Sequence, residues 1–367
     1  MSRSRRRIAA TAALLAILAP AGLAAAADLP VKATKTVPEL PFFQLVDDRL
    51  SYSWMPKGTD PGLFSLQPNG ILNGSTAKQV YSFTHFDIWA YGTNFVSISM
   101  LKSDHNDPAN PCLTNSGGAI VSGVSGLPAS CAGMTEIYGL FRSTLGWNQI
   151  FDTKAFAIGP LHNISFEAGM DANTENSFLA NSKRAVVAGL QFAFDLPYKG
   201  YFNVAPLVYW EYASRNAYAQ CNLFAAGVPY PAPGATCLAD GNRSFDPTWS
   251  VEANYYMDLG FLPESMQFWS VSGRAAWQGP KGYEKNPVVG APTVVSLNAE
   301  PIRLTFDAGK ALWGPKYTHL VDLWVAYRYW QNKFGLDHAK STSCIFKGAS
   351  NNSCTEETAY AGVTVKF

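Results

Sequence analysis

The residues of this chain that could bind a small molecule are charged and aromatic side chains that recur two apart along many segments. Side chains two apart lie on the same face of a β-strand, so this spacing gathers them on one polar face. A lining with both signs of charge favours neutral polar solutes, or internal salt bridges, over selection by charge. The residues predicted to share this face are Tyr138, Arg142, Glu167, Asp195, Tyr209, Glu211, Glu252, Tyr256, Arg274, Arg303, Asp307, Asp322, Trp324, Arg328 and Trp330, with Glu136, Asp171 and Asp258 following the same spacing.

The residue types alone leave two interpretations of this polar face open. A nucleobase has an apolar face and a hydrogen-bonding edge, so aromatic walls with carboxylates and guanidinium groups suit it. A narrow barrel must also fill its own interior, and tyrosine, tryptophan and Arg–Asp pairs do so without any ligand.

Catalysis would need a nucleophile and a base on one face, and the five histidines offer little of this kind. His85 and Asp87 lie two apart and could touch as a base and the carboxylate that orients it. His162 and Ser165 lie three apart, which places them on opposite faces of a strand. The spacing predicts a protein that is not an enzyme and that holds no cofactor or metal.

Six cysteines form three neighbouring pairs, each enclosed in a segment rich in Asn, Asp, Gly, Pro and Ser. Six cysteines allow fifteen pairings, of which the sequential one is the simplest. A metal site is the alternative, but no C-x-x-C occurs and no histidine stands at ligand spacing. An exported chain can oxidise such pairs. The predicted disulfides are Cys112–Cys131, Cys221–Cys237 and Cys344–Cys354.

About twelve segments with strand-like alternation must position these groups. In one of them Trp249, Val251 and Ala253 alternate with polar residues, and in another the parity changes across Pro301, as a β-bulge would produce. The predicted strands cover 49–55, 78–89, 95–102, 135–147, 163–171, 185–196, 201–212, 245–259, 266–278, 296–310, 320–332 and 358–367. A tight turn is predicted over 91–94.

The last strand alternates most strictly, with Ala361, Val363, Val365 and Phe367 on one face. Such alternation over about ten residues is typical of a strand with one face in lipid and the other in a polar lumen. A chain that ends on an aromatic in such a strand resembles bacterial outer-membrane barrels. The resemblance implies recognition of this strand by the barrel-assembly machinery, and pairing with 49–55 is expected to close the cylinder.

The composition and the connections favour a membrane barrel over a soluble β-sandwich or propeller. Charged residues are 15% and aromatics 13%, whereas about 25% charged is usual in soluble proteins. An even strand number and three cysteine pairs after strands 3, 7 and 11 would place those long connections on one side, outside the cell. The predicted fold is an all-β, transmembrane, antiparallel up-and-down barrel of about twelve strands.

The chain begins with features of a secretory signal peptide, since four arginines precede an apolar run and an Ala-rich cleavage site. The prediction is a signal peptide at 1–27, a periplasmic lead at 28–41 and an outer-membrane barrel at 42–367 with disulfide-bearing extracellular loops. A net charge of +1 and the absence of a later basic run argue against nucleic acid as a partner.

The stretch from Phe83 to Phe95 resembles the Tsx family of nucleoside-specific outer-membrane channels. The matching residues are Thr84, His85, Trp89, Tyr91, Gly92, Asn94 and Phe95. Thr93 stands where the family has Asp, and Leu140 stands where it usually has Glu. The resemblance implies a twelve-stranded barrel with a narrow, aromatic-lined lumen that passes nucleosides, and three disulfide-bearing outer loops are a departure from it.

The function expected from the sequence is passive diffusion of small neutral polar solutes, nucleosides first, across the bacterial outer membrane. The alternative is a structural or adhesive barrel that acts through its extracellular loops and has a plugged lumen.

Overall fold

The computed structural model describes residues 41–66, 71–104, 107–108, 112–114, 120–122, 133–176, 182–212, 244–282, 292–341 and 343–367. The predicted signal peptide and nearly all of the predicted periplasmic lead lie outside these residues. Cys131, Cys221 and Cys237 also lie outside them, so two of the three predicted disulfides stay predictions.

Twelve antiparallel strands form one closed barrel in which each strand pairs with its neighbours in sequence and the last pairs with the first. The strands are β1 Phe43–Thr59, β2 Ser75–Trp89, β3 Gly92–Ser103, β4 Thr135–Gly146, β5 Leu161–Glu175, β6 Ser182–Leu196, β7 Gly200–Glu211, β8 Thr248–Asp258, β9 Trp269–Gln278, β10 Ser296–Asp307, β11 Val321–Gln331 and β12 Glu356–Lys366. The predicted fold class and strand number are confirmed.

The remaining elements lie in the connections between strands. They are helices α1 Trp147–Ile150 and α2 Ala308–Trp313, 3-10 turns Glu264–Met266, Pro315–Tyr317 and Lys333–Gly335, and three short strand pairs, Ser65–Leu66 with Leu72–Asn73, Cys112–Thr114 with Ile120–Ser122, and Ile345–Phe346 with Ala349–Ser350. Among the described residues, no helix has the length and apolar character to cross a membrane.

The seam between β1 and β12 confirms the expected pairing of 49–55 with the last strand, and its register places Arg49 opposite Lys366 and Trp54 opposite Ala361. On the inner face, Ser51 Oγ and Thr364 Oγ1 lie 2.8 Å apart. The end of the barrel that holds Phe43 and Phe367 is called the turn end below. The other end, which carries the cysteine-bearing connections, is called the loop end.

The barrel is apolar outside and polar inside, the reverse of a soluble protein. Phe166 on the outer face of β5 is 49% exposed, whereas its neighbour Glu167 on the inner face is only 4% exposed. Leu50, Trp54 and Val208 on other strands are similarly exposed. Exposed apolar surface of this extent indicates a partner phase that is not water, because isolated soluble domains rarely expose such patches.

A bulge at Pro301 confirms the predicted change of parity in β10. The register shifts between Ala299 and Ile302 against β11, and a second shift against β9 lies between Ser272 and Arg274. The extra residue brings Glu300 and Arg303, three apart, onto the same inner face, where Arg303 Nε donates to Glu300 Oε1 at 2.7 Å.

The structure corrects several predicted boundaries. Trp89 pairs directly with Gly92, so the turn between β2 and β3 lies at residues 90–91 and not over 91–94. A Cβ at Gly92 would lie 1.9 Å from the Thr144 carbonyl oxygen, so only glycine lets β3 approach β4 here. β10 ends at Asp307, so the predicted strand end at 310 is wrong. The Asp307 carboxylate accepts from the backbone N–H of Lys310 at 2.8 Å and thereby caps the N-terminus of α2.

The connection after β11 contains the disulfide that the sequence predicted between Cys344 and Cys354. Their Cα atoms lie 5.6 Å apart, and both side chains are buried beside Leu63 and Met134. The loop-end connections around this disulfide therefore share a small apolar core.

Candidate functional site

The centre of the lumen is crossed by an ion pair between Arg142 on β4 and Glu252 on β8. The two strands are four places apart in the barrel, and two hydrogen bonds of 3.0 and 2.7 Å join the side chains. A third bond of 2.9 Å runs from Arg142 Nη1 to Asp171 Oδ1. A Cβ at Gly169 would lie 2.7 Å from Arg142 Cδ, so glycine on β5 makes room for this side chain. The bridge joins the neighbouring strands β4 and β5 to β8 across the interior.

A second inner cluster surrounds Glu300, beside the bulge. Glu300 accepts from Arg303 and from the Tyr360 hydroxyl. The Arg303 guanidinium lies 3.9 Å from the centroid of the Trp324 ring, close enough for a cation–π contact. The Trp324 ring packs against β12 at Gly362, where the absence of a side chain makes room for it. Both oxygens of Glu300 are thus engaged within the wall.

The loop end of the lumen is packed with buried ion pairs that involve the outer connections. Lys78 Nζ donates to both oxygens of Asp60 at 2.9 Å. Glu356 accepts from Arg328 and, at 3.0 Å, from Lys333. All five side chains are largely buried.

A small pocket lies at the loop end. Glu211 forms part of its wall. The Glu211 carboxylate accepts hydrogen bonds from Lys281 and from the Tyr209 hydroxyl. The wall also includes Trp330 and Phe334. The outer connections are therefore bound to the barrel wall by charge pairs that water reaches poorly.

Three inward residues of the central and turn-end parts are exposed to solvent inside the cylinder. Phe95 on β3 is 36% exposed and Tyr201 on β7 is 44% exposed. Arg274 on β9 is also exposed, and it forms no hydrogen bond or ion pair with any described residue. Its register partners, Asn254 and Glu300, are both inward. Phe95 and Arg274 mark open space within the lumen, whereas Tyr201 lies at the turn-end rim, opposite Asp195.

At the turn end the carboxylates of Asp307 and Asp322 lie opposite each other on β10 and β11. His319 lies between them: its backbone N–H donates to Asp307 at 2.9 Å and its Nδ1 lies 3.0 Å from Asp322. Tyr256 contacts His319 Nε2 at 3.2 Å and donates to Asp258 at 2.5 Å. The carboxylates could hold a cation, but protein donors already engage them.

The contact with Asp322 raises the pKa of His319 above its usual range, and the charges of Asp322 and Asp307 act in the same direction. A raised pKa in the folded state stabilises the protein fully below about pH 6.5, and this stabilisation is lost as the pH rises through the raised value. We expect His319→Asn to lower the midpoint of heat unfolding at pH 6 and to have little effect on it at pH 9. The loss in the free energy of unfolding should be roughly 1 kcal/mol larger at pH 6 than at pH 9. An equal loss at both pH values would contradict the assignment.

Asp195 does not join the inner clusters, although its spacing predicted a place among them. Its side chain is 68% exposed and lies 3.3 Å from the equally exposed His162. A register shift between Ala193 and Phe194 precedes it, at the very end of β6. Against β7 the pairing stays regular, with Asp195 opposite the inward Tyr201, so Asp195 keeps its inward parity but lies at the turn-end rim, beyond the inner clusters.

The other predicted residues also lie on inward positions, and the contacts above involve all but Glu136, Tyr138, Glu167 and the solvent-exposed Arg274. Glu167 accepts from Gln191 at 2.8 Å, and Glu136 accepts from Asn173 at 3.0 Å. Spacing did not identify Glu300, which needs the bulge, or Lys78, Lys183 and Glu356, which lie at strand ends. The predicted strand 78–89 already contained Lys78, and the alternation of β6 and β12 would have revealed Lys183 and Glu356 if it had been extended to those residues. Whether these residues line a conducting path stays a prediction.

The residues of the Tsx-like motif lie at the predicted strand–turn–strand junction, and His85 is on the outer face. Its ring nitrogens lie 2.7 Å from Asp48 and 3.1 Å from Asp87, which confirms the expected contact with Asp87. The Ser143 hydroxyl donates to Asn94, so it is not paired with this histidine. Ser165 is buried while His162 is exposed, as their spacing predicted.

Comparison with known proteins gives a likeness of fold only. No protein-family model and no curated protein matches the chain. Among solved structures, OpdK of Pseudomonas aeruginosa with vanillate is similar at 9% identity over 88% of this chain and 98% of that chain, with a TM-score of 0.31. A BenF-like porin of Pseudomonas fluorescens is similar at 6% identity over 89% and 99%, with a TM-score of 0.32.

The translocator domain of the autotransporter NalP of Neisseria meningitidis is similar to the same degree, with 9% identity over 88% of both chains and a TM-score of 0.32. These scores are too low to carry an argument about activity. None of the matches supports the resemblance to nucleoside-specific channels.

Proposed function

We propose that this protein is a bacterial outer-membrane channel that passively conducts small polar solutes. The apolar outer belt suits a lipid phase, and the polar interior suits water and solutes. The observation that carries the proposal is the open space marked by Phe95 and Arg274, since a fully filled interior would bury both.

Nucleosides are the favoured solutes within this proposal. The support is the resemblance of the Phe83–Phe95 stretch, together with inward aromatic rings and hydrogen-bonding groups around the open space. A nucleoside would place its base against a ring such as Phe95 and its polar edge against Asn254 or Arg274. The last strand, with Val363, Val365 and Phe367 outward, is the proposed surface for the assembly machinery.

A plugged, structural barrel is the second candidate, and the buried loop-end ion pairs favour it. Lys78–Asp60 and Lys333–Glu356 fasten the outer connections to the wall. On the channel proposal, these pairs narrow the outer mouth and leave a path beside it.

Swelling of liposomes that contain the purified protein separates the two candidates. The channel proposal predicts influx of uridine and of other small neutral solutes, with uridine faster than a sugar of similar mass. No influx of any solute would favour the plugged barrel, and equal rates for all solutes of one size would leave a general pore without nucleoside preference.

A further inference from the structure

Arg274 differs from the other inward arginines in that it forms no hydrogen bond or ion pair with any described residue. Arg142, Arg303 and Arg328 each donate to at least one carboxylate, and each is held against the wall. Arg274 is exposed inside the barrel and bonds to none of the described residues. The charge of Arg274 acts on Glu300 across the strand pair, but its hydrogen-bond donors are not used by the described part of the fold.

The neighbours of Arg274 already accept hydrogen bonds from other donors. Glu300, its register partner on β10, accepts from both Arg303 and Tyr360. Asn254, its register partner on β8, accepts from Asn203 at 3.1 Å. The guanidinium therefore presents its donors to the open lumen.

The local backbone holds this arrangement in place. Gly273 lies under the Tyr255 ring, whose hydroxyl donates to the Pro301 carbonyl at 2.9 Å on the outer face. A side chain at residue 273 would meet that carbonyl at 2.5 Å. This contact on the outer face joins β8 to the bulge of β10, while Arg274 lies inward through the regular alternation of β9 against β8.

We propose that Arg274 is the solute-binding group of the lumen and that it selects small solutes bearing a carboxylate or phosphate. The inference rests on the proposed function as a channel for small polar solutes and goes beyond it, because it adds an anionic solute class to the neutral nucleosides favoured above. A planar guanidinium binds such oxyanions through two parallel hydrogen bonds. Phe95 lies on the opposite wall, because β3 and β9 are six places apart among twelve strands, and it offers an apolar ring to the rest of the solute.

The test is isothermal titration of the folded, detergent-solubilised barrel with matched probes. Benzoate is compared with benzyl alcohol, and uridine 5′-monophosphate with uridine. We expect each anion to bind at least about tenfold more tightly than its neutral partner, the effect of one charge-assisted contact. The preference should shrink as salt is added.

Arg274→Gln should remove the preference for both anions, and Arg274→Lys should retain part of it, because an ammonium keeps the charge but not the two-point geometry. Lys154→Gln, at an exposed residue in the turn between β4 and β5, is the matched loss of one positive charge and should have no effect. Because Arg274 is exposed and unpaired, its variants should fold normally, which heat-modifiable migration on a gel will verify.

The inference is overturned if neither anion binds better than its neutral partner, or if Arg274→Gln binds both anions as the wild type does. Preference for only one anion narrows the solute class to carboxylates or to phosphates and supports the site. Because the assay measures binding, its failure is distinct from failure of conduction, which would overturn the channel proposal.

Discussion

Replacing Arg142 with Met is expected to destabilise the barrel by about 3–5 kcal/mol, the usual result of removing one member of a buried ion pair. The Arg142 side chain is 11% exposed and compensates Glu252 and Asp171, with Glu167 3.9 Å away. Met keeps most of the side-chain volume but leaves these carboxylates without their common partner. Urea unfolding in detergent, followed by tryptophan fluorescence, measures the loss.

The double variant Arg142→Met/Glu252→Gln separates charge from packing. If uncompensated charge causes the destabilisation, the neutral amide at residue 252 restores part of the lost stability. The effects of the two changes on the free energy of unfolding are then not additive. Additive losses would show that the side chains act independently and would contradict the bridge across the lumen. The double variant should also conduct more current than the wild type, because the central crossing is gone.

Replacing Glu356 with Ala is expected to cost a similar 3–5 kcal/mol and to loosen the loop end. Glu356 is 3% exposed, and one carboxylate binds Arg328, Lys333 and the backbone N–H of Thr59. Its removal leaves two cations buried without a counter-charge. The outer connection that contains Lys333 should then become accessible to protease added outside intact cells.

Glu357→Ala is the matched control for this change. Glu357 is the next residue, is exposed, and accepts only from Tyr327 at 2.8 Å on the outer face. Exposed contacts of this kind are worth less than about 1 kcal/mol. Equal losses of stability in the two variants would contradict the conclusion that the Glu356 ion pairs hold the loop-end connections to the barrel wall.

The alternation of side chains was sufficient to predict the fold. Twelve strands, the β1–β12 seam and the bulge at Pro301 all follow from apolar residues at every second position, because that period has one structural meaning. Boundaries were less accurate. β1 begins at Phe43, well before the predicted Arg49, because its early residues pair with β2 and do not alternate regularly.

The contacts inside the lumen could not be predicted in the same way. Parity assigns Arg142 and Glu252 to the inner face but gives no distance between strands that are not neighbours. Closing the sheet sets that distance, through the number of strands and their stagger. The free state of Arg274 likewise depends on Glu300 being taken by Arg303 and Tyr360, and only the bulge puts Glu300 and Arg303 on one face.

Single-channel recording of the wild-type protein in a planar bilayer tests the central claim most directly. Folded protein, verified by heat-modifiable migration before reconstitution, is predicted to give discrete current steps that benzoate or uridine 5′-monophosphate blocks. Absence of steps from membranes that demonstrably contain the folded barrel would contradict the claim that the lumen conducts.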